Sequence, residues 1–233
     1  MKFFAILTRV HKWVGLFVGL QIILWTAGGL VMSALPLQRV RSAHLVAAPD
    51  RAPVREDILS PVQAARRAGL DGLQQAHLRR WLGRPVYVLE LAKGQTALVD
   101  ARTGARLSPV TAEMARRVAL ADYAGNGHVI AVDHVGKGPV EVRFKGPFWR
   151  VQFDQPRGYT VWVDPQDGQV RAHRSTLWRV YDFFWMLHIM DYGGRENFNT
   201  PWLIAFAASA LLFALTGAGL LAHRFALRPR RRR

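Results

Sequence analysis

Two long runs without a charged residue constrain this chain more than any other feature. Val14 to Leu35 is apolar, interrupted only by Gln21, Thr26 and Ser33, and Trp202 to Ala222 carries no charge at all. A helix rises ~1.5 Å per residue, so a run of about 20 residues crosses a hydrocarbon core of about 30 Å. Backbone amides find no water there, which obliges each run to be helical. The runs therefore predict two antiparallel transmembrane helices in a lipid bilayer, one within residues 1–35 and one over 201–222. The first run exceeds the ~7–15 apolar residues of a secretory signal and reads as an uncleaved anchor.

Charge sets the expected orientation. Lys2, Arg9 and Lys12 precede the first span, and Arg224, Arg228 and Arg230 to Arg233 follow the second, with no acidic residue in either place. These nine supply more than half of the +16 net charge; the middle holds 23 basic and 16 acidic residues. Lys and Arg beside spans stay on the cytoplasmic side. Both termini, including a basic tail over 223–233, are expected in the cytoplasm, with the segment between the spans outside. The same rule, with anionic lipid, accounts for the tail without nucleic acid. The chain has no cysteine. That excludes disulfides, Cys-ligated clusters and covalent haem attachment, so an outer domain must rest on its own core.

The segment from 36 to 174 repeats itself. Ser60-Pro61-Val62 and Ser108-Pro109-Val110 each open a stretch with alanines and arginines at helical spacing, Ser placed to cap and Pro to occupy the first turn. Strand patterns follow in each, "RPVYVLELAKGQTALVDARTGARL" from Arg84 and "FWRVQFDQPRGYTVWVDPQDGQVRAH" from Phe148. Both units close alike, Val99-Asp100 with Gly104 and Val163-Asp164 with Gly168, as an Asp-capped turn with a left-handed glycine requires. Repeat 1 spans about 57–107 and repeat 2 about 108–173, with an extra stretch at His128 to Val142. Helices covering antiparallel strands make an α+β domain. Residues 175–200 read as an aromatic helix and turn. Leu177, Tyr181, Phe184, Trp185 and His188 share one face, and Arg179, Asp182 and Met186 lie opposite, as in an interfacial helix. Asp191, Arg195, Glu196 and Asn199 are expected in a capped polar turn beyond it.

A short helix followed by a hairpin ending "VDxxxG", twice, resembles the PepSY domain. The surroundings, "RVHKWVGLFVGL" from Arg9 and "LHIMDYGGRENFNTP" from Leu187 leading into "LFALTGAGLL", resemble the PepSY-associated transmembrane family in its short two-span form. The resemblance implies a bacterial inner-membrane protein with a periplasmic tandem PepSY domain between its spans. It also implies a relation to membrane proteins that reduce ferric siderophores through haem. Other PepSY domains perform no chemistry, so function has to be argued from sites.

Three histidines stand out. His11 lies about a turn before the first span and His223 just past the second, which places them at one level in an antiparallel pair. Two facing neutral imidazoles can ligate haem iron from both sides, and nearby glycines leave room for a flat macrocycle. Gly15-x-x-x-Gly19 and the small residues below His223 also suit plain helix packing. His188 on the aromatic face is a ligand candidate for a second haem near the outer surface, or a hydrogen-bonded member of an aromatic anchor. Its second ligand would come from a partner subunit or a dimer mate. No protease, hydrolase, P-loop or dinucleotide motif is present. Two functions are thus expected as alternatives. One is a b-type haem electron-transfer subunit of a membrane oxidoreductase serving reduction of an iron complex, as a homodimer or with a partner subunit. The other is a non-enzymatic anchored module binding a periplasmic peptide or protein.

Overall fold

The computed structural model describes residues 2–50, 52–55 and 57–226. The tail arginines Arg228 and Arg230 to Arg233 lie outside the described residues. The chain divides into two compact units, one made of residues within 1–35 and 180–233 and the other of 36–179.

The central unit starts with a short helix, α2 (Leu37–Val40), after the N-terminal helix α1 (Lys2–Ala34). Helix α3 (Pro61–Arg67) is opened by a capping box: Gln63 N–H donates to Ser60 Oγ and Ser60 N–H to Gln63 Oε1. An antiparallel sheet follows, β1 (Leu73–Trp81), β2 (Arg84–Leu91) and β3 (Gln95–Asp100), in that spatial order. Helix α4 (Ala112–Asp122) leads into a second antiparallel sheet of β4 (Val129–Val135), β5 (Phe148–Phe153), β6 (Thr160–Val163) and β7 (Val170–Arg174).

Both Asp–Gly turns form as their spacing predicts. Asp100 Oδ1 accepts from the N–H groups of Arg102 and Thr103, Gly104 donates back to the Asp100 carbonyl, and Gly104 has φ +77°. Asp164 accepts from Gln166 N–H, and Gly168 donates to the Asp164 carbonyl at φ +65°. After the second turn the chain pairs as β7; after the first it makes only a single bridge, Val99 with Arg106.

Strand β2 is buried on both faces, which explains its nearly continuous apolar run. Tyr87, Leu89 and Leu91 pack with Ala64 and Ala65 of α3, whereas Val86 and Val88 enter a core shared with Ala115, Val118 and Ala119 of α4 and with Val151, Phe153 and Val161. The two repeats therefore close one core between them.

Two expectations are corrected. Ser108 does not cap the second helix. It is buried, its hydroxyl accepts from Leu98 N–H of β3, and Val110 N–H goes to the Pro165 carbonyl. The helix begins three residues later, capped by Thr111 on Met114 N–H. Each repeat also holds more than one hairpin, because β1 and β4 extend their sheets.

The other unit pairs α1 with α6 (Pro201–Ala226), around Val18, Phe206 and Met190. Both helices are long and apolar enough to cross a membrane, and only 11% of either apolar window is buried. A core helix of a soluble protein would hide such a face, so these present it to lipid. The division between the units falls within α5 (Thr176–Ile189). The polar face expected there is absent: Asp182 is buried against Arg195, while Val180 and Phe183 are exposed. Arg195, beyond the helix, supplies the cation that lets a carboxylate sit on a buried face.

Candidate functional site

The α1–α6 contact is an interlock of rings and glycines. A Cβ at Gly15 would lie 2.6 Å from Phe213 Cε2, and one at Gly217 would lie 2.9 Å from His11 Cε1. Each glycine thus makes room for a ring of the opposite helix, and the rings of His11 and Phe213 stack with centroids 4.3 Å apart. Of the expected Gly15-x-x-x-Gly19 pair, Gly15 is in the interlock, whereas a Cβ at Gly19 would meet nothing within 4 Å.

His11 is held by a hydrogen bond to Thr216. Its Nδ1 lies 2.9 Å from Thr216 Oγ1, and the Thr216 hydroxyl donates its one proton to the Phe213 carbonyl, also at 2.9 Å. With the Thr216 hydroxyl turned to Phe213, Thr216 would accept from the ring, which is the tautomer with hydrogen on Nδ1. This is how metal-binding imidazoles are commonly oriented by an outer partner. The signal for Thr216 in the sequence is a hydroxyl within an uncharged apolar run, a feature it shares with Ser209.

His223 does not share that level. Its ring stacks on Phe4, centroids 3.4 Å apart. Seven residues separate it from Thr216, the partner of His11, or about 10 Å along the axis. The expectation of one level is corrected: distance from the ends of the apolar runs does not set the pairing, which follows the interlock at Gly15 and Gly217. No other His or Met occurs in the turns around His11, residues 7–15 and 213–220.

His188 stands near the far end of α1. Its ring stacks on Trp25 at 4.7 Å, and Trp25 Nε1 donates to the His188 carbonyl near the C-terminus of α5, where carbonyls lack helical partners. Trp25 is 14 residues from His11, so the two histidines are about 21 Å apart along the helix. His188 Nδ1 is buried without a hydrogen-bond partner among the described residues. It lines a cavity of about 90 Å³ together with Gln21, Trp25, Phe184, Leu187 and Tyr192. Pockets for large ligands run to ~300–1,000 Å³, so a porphyrin does not fit inside this one.

The following loop is tightly held. Asp191 accepts from the N–H groups of Asn197 and Glu196 at 2.9 Å, and from Gly194 and Gly193. Those bonds hold its carboxyl down at about 2. Of the expected polar turn, Asp191 does the capping and Arg195 pairs with Asp182; Thr200, which was not expected there, caps α6 on Leu203 N–H.

The central unit has a polar chain of its own. Tyr159 OH lies 2.9 Å from His173 Nδ1, and His173 Nε2 lies 3.2 Å from Asp122 Oδ2. Burial raises Asp122 to about 6 and lowers His173 to about 4. Asp122 also borders a cleft of about 850 Å³, beside Asp50, Leu82 and Trp81.

Among the described residues no group of three or more His, Asp or Glu side chains is placed to hold a metal ion. Each of His11, His188 and His223 can offer one nitrogen, and the structure brings no two of them together. Of the three, His11 is the one whose ring nitrogen is held by a side-chain hydroxyl among the described residues, Thr216 Oγ1.

The PepSY-associated TM region family model matches residues 8–233, and the chain belongs to that family. No curated protein and no solved structure matches the chain.

Proposed function

We propose that this member of the PepSY-associated transmembrane family is a b-type haem electron-transfer subunit of the bacterial inner membrane. In this reading both termini lie in the cytoplasm and the central unit is a tandem PepSY domain in the periplasm, an orientation that the lysines and arginines beside the spans support. The observation that carries the haem reading is the relay Phe213 carbonyl, Thr216 hydroxyl, His11 Nδ1, which leaves Nε2 as a neutral ligand. A second ligand would have to come from another chain, such as His11 of a second copy were it to lie near a two-fold axis, because the described residues bring no second histidine to His11. Haem held there supplies one-electron transfer, which serves reduction of an iron complex or a partner oxidoreductase. The chain's own part is to fix the imidazole through Thr216, to admit it beside Gly217, and to keep water from it with Phe213. The test is the absorption spectrum of detergent-purified protein from haem-supplied cells, which shows haem bands that His11→Ala removes. A colourless wild-type preparation refutes the reading.

A second reading has its own observation, the cleft beside Trp81 and Asp122, whose size is that of a ligand pocket. It makes the protein an anchored module for a periplasmic peptide or protein. It predicts that Trp81→Ala abolishes function while His11→Ala leaves it intact; the reverse result rejects it.

A further inference from the structure

We infer that the cavity between α1 and α5 binds the headgroup of a lipid-soluble quinone. Three polar groups meet on this one apolar space. His188 Nδ1 is buried and unpartnered. The Gln21 amide sits within an otherwise apolar span and, with the exposed Tyr192 hydroxyl, makes no hydrogen bond among the described residues. Unsatisfied polar groups in a membrane helix are costly and mark functional sites.

The lining defines the ligand. The residues bordering the cavity are uncharged apart from the titratable His188, so neither a phosphate nor a cation finds a counter-ion there. The walls include Trp25 and Phe184, and a Cβ on Gly28 would already touch Phe184 at 3.5 Å, so the space favours a flat ring. Gln21 to Gly28 covers about 10 Å of helix, the length of a headgroup but not of a porphyrin. The free groups are an amide, a phenol and an imidazole, each able to donate to a carbonyl oxygen. A neutral, flat ring with carbonyls, reached through lipid, is a quinone. Gln21 was visible in the sequence only as an interruption of the first run. The inference stands whether or not His11 carries haem.

The experiment is calorimetric titration of the full-length protein in detergent with ubiquinone-1. Saturable binding near one per chain is expected, weakened at least tenfold by His188→Phe and by Gln21→Leu. Gln21→Leu makes the span more apolar and is safe for folding, so it keeps the test decisive if His188→Phe fails to assemble. Uptake that rises linearly with concentration, as in micelle partition, overturns the inference, as does unchanged affinity in Gln21→Leu. The titration reads no haem. A colourless protein that binds ubiquinone-1 refutes the His11 reading alone, and a haem-bearing one that does not bind refutes this one alone.

Discussion

Thr216→Val is the most informative single change, because it removes one oxygen and keeps the shape. In the wild-type protein the 2.9 Å contact with Thr216 is the hydrogen bond of His11 Nδ1. A net hydrogen bond of about 1 kcal/mol biases the ring about fivefold toward the Nδ1–H tautomer. An N–H left unpaired beside the Phe213 ring and Gly217 costs about 1–3 kcal/mol if the ring stays in place. Outer partners of metal-binding histidines carry about 10–100-fold in affinity, or about 1.4–2.8 kcal/mol, the same range reached from the hydrogen bond. Two assays read it. Imidazole 15N shifts of the purified protein report the tautomer, and haem titration reports affinity. Thr216→Val is expected to lose the Nδ1–H bias and at least tenfold in haem affinity. Thr216→Ser, which keeps the hydroxyl, stays close to wild type. An unchanged tautomer together with unchanged affinity in Thr216→Val refutes the relay.

Gly15→Ala drives a methyl to 2.6 Å from Phe213, and overpacking of this kind costs about 1–3 kcal/mol, read as a lower thermal midpoint in detergent. Asp182→Ala leaves Arg195 without its buried partner, so a loss of about 3–5 kcal/mol is expected in denaturant titration, and a loss below 1 kcal/mol would show that the pair is solvated. The third concerns pH. Asp122, raised to about 6, lowers stability as pH climbs from its unfolded value of 3.8 through 6; His173, lowered to about 4, raises stability as pH climbs from 4 to 6.5. The two slopes oppose each other, so wild-type stability is nearly level between pH 4 and 6. Asp122→Asn removes the falling part, so the variant's stability should rise with pH over that window; a level profile in the variant contradicts it.

The elements that were legible in the sequence are those whose signal is local. The spans follow from uncharged length, and the turns at Asp100 and Asp164 follow from one carboxylate and one glycine four residues on. Strand β1 was not legible, because its burial does not alternate: Leu73, Ala76, Arg79 and Arg80 are half-buried, Leu78 is exposed and Trp81 is buried. The start of α4 was misplaced because Ser108 serves a distant strand, a use no local pattern reveals. Likewise the levels of His11 and His223 depend on which ring enters which glycine gap, and hydropathy is blind to that. The cavity at His188 exists only where α5 meets α1, so Gln21 had no visible partner in the sequence.

The central claim is tested most directly by haem quantification against chain mass in the purified, detergent-solubilised protein. Sharing of one iron by two His11 side chains predicts one haem per two chains, absent in His11→Ala. A protein free of haem, or one whose haem content survives His11→Ala, contradicts the account.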